Sequence, residues 1–264
     1  MFADDVLIYP CSSSFICGDP FTDPRNGQTY NSIQIGDQCW MAENLNIGVQ
    51  IDGLQTMSNN SIIEKYCYDN DSANCEIYGG LYQWNEIMQY STTQSIQGIC
   101  PDGWHLPSDA EWFELENYLD PSITNPDLTG WRGIDCGEQM LAGGSSGFEA
   151  ILAGQRKWDT GEFLALEEWT IFWSSTFNPY NSGHSWWRAY QLNNPQSYRN
   201  GGSKLFGNSV RCIKDEILCP DSIIDNRDSQ VYDVIQIGNQ CWMAENLNIG
   251  TMINGTENMS DDGI

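Results

Sequence analysis

The sequence predicts an α+β domain that is stapled by disulfides and begins to repeat within the same chain. Three observations support this prediction. The 264 residues include ten cysteines, helical patterns come early and short strand patterns come late, and a 16-residue segment occurs twice. Hydrophobic residues make up 40% of the chain, which is enough for a core and argues against a disordered chain.

The duplicated segment predicts the domain boundaries. Residues 33–48 recur as residues 235–250, 202 positions later, with fifteen of sixteen positions identical. The same offset carries Cys17 to Cys219, and self-similarity of this kind indicates a repeat architecture. We therefore expect an N-terminal arm or the end of a preceding segment at residues 1–16, a complete domain at residues 17–218, and the start of a second, partial copy at residues 219–264.

The first predicted elements are a β-hairpin and a helix. Tyr30, Ile33 and Ile35 alternate with polar residues ahead of a Gly-Asp turn and the next apolar segment, a pattern typical of a hairpin. Residues 66–76 are polar and predict a loop. Across residues 78–90 apolar side chains recur at helical spacing, which predicts a helix.

The later elements complete the α+β prediction. Ser108 and Glu111 stand three residues apart behind Pro107, a capping box that predicts a helix ending at Pro121. Beyond Gly143, apolar runs separated by Gly, Asn and Ser predict short strands at residues 148–152, 170–174, 185–192 and 208–213. Early helices with a late meander of strands are typical of an α+β domain.

The net charge limits the partners that the chain can bind, and the cysteines indicate the compartment in which it occurs. The chain has 36 acidic and 11 basic residues and a net charge of −25, so it should repel nucleic acid. It has no apolar run of about 18 residues that could span a membrane. The cysteines lack zinc-site spacing and favour disulfides, which predicts an extracellular or cell-surface protein.

Five motifs in order resemble one protein family. They are IGDQCWMAENLN, YGGLYQWNEIM, CPDGWHLPSDAEW, FWSST and SVRCIKD. Together they resemble the Fibrobacter succinogenes major paralogous domain, which is found in tandem copies on large secreted proteins of Bacteroidetes and Fibrobacteres and has no known general activity. The second half also resembles the C-type-lectin-like fold of the formylglycine-generating enzymes. The resemblance implies such a fold with an N-terminal β-hairpin extension.

Eight of the cysteines are expected to form disulfides. Cys11 and Cys136 are left over, and three outcomes stay open for them: pairing with each other, remaining free, or linking subunits. The expected pairs are Cys100–Cys212, which the resemblance implies, Cys17–Cys39 and Cys219–Cys241, which share the repeat offset, and Cys67–Cys75 as a local staple.

A polar segment predicts a calcium site, and an aromatic set predicts a glycan site. Calcium prefers oxygen ligands, and the candidates are Asp69, Asp71, Asn74 and Glu76; the alternative is a solvated acidic turn. Aromatic rings stack on sugars, and the candidates are Trp186, Trp187, Tyr180 and Tyr198. Strand alternation turns the two tryptophans to opposite faces, so we expect at least one of them in the core.

Other short patterns predict modification and exclude simple catalytic schemes. Asp-Ser-apolar patterns mark Ser72 and Ser222 for O-glycosylation, and sequons mark Asn59 and Asn254 for N-glycosylation. We expect His105 to be a structural, hydrogen-bonded residue, because no nucleophile motif surrounds it. The reactive cysteine pair of the formylglycine-generating enzymes is missing near the end of the domain.

We therefore expect a non-enzymatic extracellular structural or adhesive protein that forms a tandem-repeat or polymeric fibre. The partial copy leads to this expectation, because an isolated hairpin would leave Ile235, Ile237 and Trp242 exposed unless it docks on another copy or an adjacent repeat. The head-to-tail contact would be heterologous and would build filaments. The alternatives are a carbohydrate-binding surface module and an oxidase of the formylglycine-generating type.

Overall fold

The computed structural model describes residues 15–216, 219–237, 240–250 and 252. These fall into two units: the main domain, Cys17–Asp215, and a smaller hairpin unit that holds the remaining described residues. Across the described residues, the helices are all too short or too polar to cross a bilayer. The main-domain elements are, in chain order, β1 (Phe21–Thr22), β2 (Thr29–Tyr30), β3 (Ser32–Ile35), β4 (Gln38–Met41), β5 (Val49–Gln50), β6 (Glu64–Lys65), a 3₁₀ turn (Tyr68–Asn70), α1 (Ser72–Tyr78), α2 (Trp84–Ile87), β7 (Trp104–His105), α3 (Asp109–Leu119), β8 (Gly130–Arg132), α4 (Cys136–Met140), β9 (Ala153–Arg156), β10 (Phe163–Leu166), β11 (Trp169–Phe177), β12 (His184–Gln191), β13 (Ser197–Ser203) and β14 (Ile213–Lys214).

The predicted N-terminal hairpin is present as β3 and β4. They pair antiparallel, with Ser32 opposite Met41 and Ile35 opposite Gln38. β4 also pairs with β14, which pairs with β7, so a four-stranded sheet joins the start and the end of the main domain. The hairpin is therefore the edge of a sheet that the last strand completes.

The region between residues 66 and 90 differs from its prediction. The expected loop contains the 3₁₀ turn and most of α1, and the expected helix is reduced to α2. The cause is the Gly79-Gly80 pair, which ends α1. Gly79 has a φ of +78°, and a Cβ there would lie 2.5 Å from the Cβ of Asn44, so the chain turns there and cannot continue as a helix. Leu81 then forms a bridge to Tyr66.

The predicted helix α3 is confirmed together with its cap. The Ser108 hydroxyl accepts a hydrogen bond from the Glu111 amide, and the Glu111 side chain accepts one from the Ser108 amide. The helix ends at Leu119, two residues before Pro121. Its Trp112 and Leu115 are fully buried, so α3 contributes one wall of the core.

A six-stranded sheet forms the second half of the domain, in the order β10-β9-β11-β12-β13-β8. Neighbours are antiparallel except β9 and β11. The predicted strand at residues 170–174 falls within β11, and the one predicted at residues 185–192 matches β12 except for its last residue. Residues 148–152 form no strand, and of residues 208–213 only Ile213 lies in a named strand. β8, β9, β10 and β13 were not predicted.

The core lies between α3, the six-stranded sheet and the N-terminal hairpin. The ring centroids of Trp40 and Trp112 are 4.8 Å apart, and those of Trp112 and Phe148 are 5.8 Å apart. Phe172 and Tyr190 of the sheet close the same cluster. Trp40 belongs to the hairpin and is fully buried, so the hairpin is part of the core.

Four disulfides join the pairs that the sequence analysis expects. Three lie in the main domain and one in the hairpin unit, which agrees with a disulfide-stapled α+β domain. Cys136 is free and buried, whereas Cys11 lies outside the described residues. The bonds are Cys17–Cys39, Cys67–Cys75, Cys100–Cys212 and Cys219–Cys241.

The hairpin unit repeats the N-terminal hairpin in detail. Its strands β15 (Ser222–Ile224), β16 (Val231–Ile237) and β17 (Gln240–Met243) form a three-stranded antiparallel sheet. The Asn248 amide donates to the Tyr232 hydroxyl at 3.0 Å, as the Asn46 amide donates to the Tyr30 hydroxyl at 3.0 Å. Both disulfides span 22 residues.

Candidate functional site

Four aromatic side chains lie together on one face of the six-stranded sheet. We call this set the aromatic face: Trp131 on β8, Trp169 on β11, Trp187 on β12 and Tyr198 on β13. The Tyr198 ring centroid lies 4.8 Å from that of Trp131, 5.6 Å from that of Trp187 and 6.3 Å from that of Trp169. Trp131 and Trp169 are 5.5 Å apart. All four are half-buried, so part of each side chain stays open to solvent.

Strand register explains why these rings meet. Tyr198 lies opposite both Trp131 and Ala189, and paired residues in a sheet point to the same face. Trp187 and Trp169 belong to the same face by alternation along β12 and β11. Ala189 has a small side chain with no exposed surface, as expected for a residue at the centre of a set of larger rings.

Two amide side chains border the rings. Asn200 lies opposite Trp187, and its Nδ2 donates a hydrogen bond to the Tyr198 hydroxyl at 3.2 Å. Gln191 lies opposite Trp169. Both amides are half-buried. The face thus combines apolar rings with hydrogen-bonding groups at its rim.

The reverse face of the same strands carries a buried ionic network. Arg188 Nη1 lies 2.6 Å from Asp109 Oδ1, and its Nε lies 2.9 Å from Glu116 Oε2. Arg199 Nη2 lies 2.6 Å from Asp109 Oδ2, and Arg132 pairs with Glu116. The two acids belong to α3 and the three arginines to β12, β13 and β8. The network therefore fixes α3 against the strands that carry the aromatic face.

The arginines control the protonation of this network. Burial alone would raise the pKa of Asp109, but Arg188 and Arg199 lower it below the ordinary value. Burial alone would lower the pKa of Arg188, but Glu116 and Asp109 raise it above the ordinary value. Both groups are thus charged at neutral pH, and the network is a set of ion pairs.

The structure brings together two of the four predicted glycan-binding residues. Trp187 and Tyr198 belong to the aromatic face. Trp186 lies on the reverse face, where the Arg199 guanidinium carbon is 3.9 Å from its ring centroid. Tyr180, 90% exposed, lies in the turn between β11 and β12. The two tryptophans lie on opposite faces as expected, but both are half-buried, so the expectation that at least one of them belongs to the core is wrong.

The sequence did not predict a binding role for the other two rings, Trp131 and Trp169. Trp169 could have been found, because Trp169, Ile171 and Trp173 alternate and so share one face of β11. Trp131 offers no such signal, since its strand β8 has three residues. Its place on the face depends on pairing with β13, which is distant in sequence.

Three of the four side chains predicted to bind calcium have hydrogen-bond partners within the chain. Asp71 caps α1 by accepting from the Ala73 amide at 2.9 Å. Asn74 Nδ2 donates to the Tyr68 carbonyl at 2.9 Å, and Glu76 accepts from Asn46 at 3.5 Å. Within the described part of the chain, no group of three or more acidic, His or Cys side chains could hold a metal. Calcium binding stays a prediction.

An open cleft lies next to this segment. Its volume is about 420 Å³. Three acids and an exposed leucine give it a mixed polar and apolar lining, and Asp69 is one of those acids. The lining residues are Asp52, Leu54, Asp69, Asn70, Thr160, Gly161, Glu162 and Phe163.

His105 lies between two carboxylates. Its Nε2 is 2.8 Å from Glu111 Oε1 and its Nδ1 is 2.7 Å from Asp215 Oδ1. Burial alone would lower the pKa of His105, but the two acids raise it above its usual value. The neighbouring Ser108 hydroxyl donates to Glu111, so it does not bond to the imidazole as a nucleophile would.

The predicted glycosylation residues are placed as follows. Ser72 is the exposed first residue of α1, Ser222 is exposed at the start of β15, and Asn59 is exposed between β5 and β6. Asn254 lies outside the described residues. Glycosylation at these positions stays a prediction.

Comparison with known proteins gives one result. The profile of the Fibrobacter succinogenes major domain matches residues 33–214, which is more than half of the chain. Neither the curated proteins nor the solved structures contain a match. The matched range begins in the N-terminal hairpin and ends in β14, so it includes α3 and every strand of the aromatic face. The chain belongs to the Fibrobacter succinogenes major domain family.

Proposed function

We propose that this chain is a non-catalytic, extracellular adhesion module that binds carbohydrate through the aromatic face. The observation that carries the proposal is the set of four half-exposed rings on a sheet fixed from behind by buried ion pairs. Aromatic rings with apolar bodies and polar rims suit ligands that have both characters. A rigid face also loses little conformational entropy when it binds.

The ligand class follows from the shape and charge of this surface. The rings of β-linked hexose polymers have flat faces of C–H groups, which stack on tryptophan and tyrosine, and their hydroxyls can bond to Asn200 and Gln191. The net charge of −25 disfavours uronic acid and sulfated polymers. We therefore expect neutral β-linked polysaccharides as ligands.

The first prediction concerns the two tryptophans at the edge of the face. Changing Trp131 and Trp169 to Ala together should weaken binding to a soluble neutral β-glucan or xyloglucan about tenfold or more, because each removes a stacking surface. Affinity gel electrophoresis over a panel of neutral and acidic polysaccharides measures this. The matched control is Trp158→Ala, since Trp158 is 47% exposed and lies outside the face.

Two results would contradict the glycan proposal. One is that no polysaccharide in the panel retards the unmodified protein. The other is an equal loss of binding in the Trp158→Ala control, which would show that the face is not the site. Melting temperatures near that of the unmodified protein are required of each variant.

The non-catalytic part of the proposal is supported by the state of the thiols. An oxidase of the formylglycine-generating type needs reactive cysteines, and Cys212 is bonded to Cys100. Burial, with added effect from Glu116 and Asp120, raises the pKa of Cys136 well above its ordinary value, whereas reactive thiols have lowered pKa values. Rapid labelling of Cys136 by a thiol reagent in the native protein would count against this part.

The finer fold prediction belongs to the same proposal. We infer a C-type-lectin-like domain because the Cys100–Cys212 bond ties the segment ahead of α3 to the segment ahead of the last strand, as the family resemblance implies. Calcium binding is a separate proposal. If the segment at Asp69, Asp71, Asn74 and Glu76 binds calcium, a chelator should lower the melting temperature and added calcium should restore it.

A further inference from the structure

Three polar side chains from three separate segments of the main domain meet at one place. Asn46 follows the N-terminal hairpin, Lys65 ends β6, and Glu76 lies in α1. The Lys65 Nζ is 2.5 Å from the Asn46 Oδ1, and the Asn46 Nδ2 is 3.5 Å from the Glu76 Oε1. We call these three residues the amide triad. They place an amine, a carboxamide and a carboxylate in a row.

The two charged partners determine which way the carboxamide points. A lysine ammonium can only donate hydrogen bonds, and a carboxylate can only accept them. The oxygen of the Asn46 side chain therefore faces Lys65, and its nitrogen faces Glu76. The carbon between them, Cγ, thus has a nucleophile on one side and an acid-base group at the nitrogen on the other. Transfer of the acyl group from one nitrogen to another needs this order of groups.

The carboxamide is also held in place and shielded from water. The Asn46 amide donates to the Tyr30 hydroxyl at 3.0 Å, and the Asn46 carbonyl accepts from the Asn26 Nδ2 at 2.9 Å. Asn46 is 6% exposed, and Lys65 is half-buried. A fixed amine and amide in contact react as if at very high concentration. Exclusion of water disfavours hydrolysis as the competing reaction.

We propose that Lys65 and Asn46 form an isopeptide bond, with Glu76 as the group that transfers protons. The Lys65 ammonium gives a proton to the Glu76 carboxylate, and the neutral Nζ attacks Cγ of Asn46. The Glu76 carboxyl then protonates Nδ2, the Cγ–Nδ2 bond breaks, and ammonia leaves with the remaining amine proton as ammonium. The new amide replaces the old one and Glu76 ends as a carboxylate, so no oxidant or other reactant is required.

The surroundings of the two charged groups suit this reaction. Burial lowers the pKa of Lys65, although Glu76 opposes the change, so the neutral amine forms more readily than at an exposed lysine. Glu76 is exposed, so the released ammonium can pass directly to solvent. The product would join β6 to the segment after the N-terminal hairpin by a bond that reduction of the disulfides leaves intact.

The mass of the intact, unmodified chain tests the bond directly. The folded protein is incubated at neutral pH and then unfolded, and its disulfides are reduced and blocked. Its mass should be lower than that of the sequence by one ammonia. Digestion that cuts at Asp52, between the two residues, should release one branched peptide that contains both Asn46 and Lys65. A full mass after incubation would overturn the proposal, as would a loss of ammonia without the branched peptide.

Matched variants assign the nucleophile. Lys65→Arg keeps the positive charge but replaces the amine by a guanidinium that stays protonated, so this variant should keep its full mass and give no branched peptide. The control is Lys157→Arg, because Lys157 is a surface lysine 3.3 Å from Asp159. It should lose ammonia as the unmodified chain does. A branched peptide in Lys65→Arg would overturn the assignment.

The role of Glu76 is tested by the rate at which the mass changes. Glu76→Gln should slow formation of the branched peptide about a hundredfold or more, because general acid-base catalysis is lost. Melting temperatures establish that each variant is folded before its rate is compared. An unchanged rate in Glu76→Gln would refute the part given to Glu76. The amide triad shares no residue with the aromatic face, so a chain without the bond can still bind glycan as proposed above.

Discussion

His105 is fixed by two ion pairs that the sequence around it does not indicate. Both ring nitrogens meet carboxylates, one at the cap of α3 and one just after β14. Burial would raise the pKa of Glu111, but bonds from His105 and Ser108 bring that pKa down to about 2. The imidazole therefore joins the start of α3 to the end of the main domain as a charged link.

The second prediction is that this link makes stability depend on pH. His105 has a raised pKa, so its contribution is complete below its unfolded value of about 6.5 and is lost as pH rises through the folded value. Glu111 has a lowered pKa, so its contribution is complete above about 4.5 and is lost as pH falls toward 2. The pair should stabilise the fold most near pH 5.5.

The variant His105→Gln tests this dependence. It should cost about 1–3 kcal/mol near pH 5.5 and less at pH 9, because the charge of the imidazole is lost as pH rises through its folded pKa. Thermal melts of both proteins at the two pH values supply the comparison. Asp215→Asn should show the same trend more weakly, because Asp215 is half exposed. An equal difference at both pH values would refute the ionic account.

Among the elements, α3 is the one whose position depends most on buried ion pairs with the sheet. Asp109 and Glu116 lie about two turns apart and meet arginines from three strands. Arg188 is completely buried and contacts both acids, so its removal takes one ionic partner from each of them. The helix and the sheet are therefore fixed to one another through polar contacts as well as through Trp112.

The third prediction compares a buried with an exposed pair. Arg188→Met should destabilise the domain by about 3 kcal/mol, because Asp109 and Glu116 each lose one of two buried ionic partners and the oxygens that faced Arg188 stay buried. Lys157→Met, whose partner Asp159 is 3.3 Å away at the surface, should change stability by less than about 1 kcal/mol. Urea unfolding at neutral pH measures both. Similar losses in the two variants would contradict the role given to the network.

Local sequence patterns predicted the elements that short-range contacts determine. They failed for elements whose structure depends on residues that are distant in sequence. The capping box located α3, and the repeated hairpin was recognised because its alternation and its turn lie within a few residues. The helix predicted across residues 78–90 failed, because Gly79 adopts a positive φ close to Asn44. β13, with sequence SYRNGGS, has a single strong strand former, Tyr198, and is specified by its neighbours β12 and β8.

The same limit applies to the candidate site. Trp187 and Tyr198 stood out as aromatic residues in predicted loops or strands, but their grouping with Trp131 required the order of the sheet. The calcium prediction was based on the number of oxygen-bearing side chains in one short segment of the sequence. In the folded chain, Asp71 and Asn74 are occupied by the backbone of α1 and of the turn before it.

Across the whole molecule, each disulfide closes its own loop, and these loops do not overlap along the chain. Cys100–Cys212 spans 112 residues and encloses α3, the six-stranded sheet and the aromatic face. Cys67–Cys75 spans eight residues. Since the entropy removed from the unfolded chain grows with the length of the loop, the long bond should dominate stability.

The fourth prediction follows from these loop lengths. Replacing Cys100 and Cys212 by Ser should lower the free energy of unfolding by about 5 kcal/mol, against about 2.5 kcal/mol for the same change at Cys67 and Cys75. Chemical denaturation of both double variants tests the order. A larger loss for the short loop would show that local strain or packing outweighs chain entropy.

The long disulfide also determines how the domain would respond to pulling. A tension applied between Cys17 and Asp215 passes through the Cys100–Cys212 bond, so the 112 residues it spans cannot be drawn out. Without that bond they would add roughly 380 Å of contour length at full extension. The N-terminal hairpin lies outside the bonded loop and would separate from the rest of the main domain first. Tension on the chain would thus extend the segments outside the bonded loop while the aromatic rings kept their arrangement.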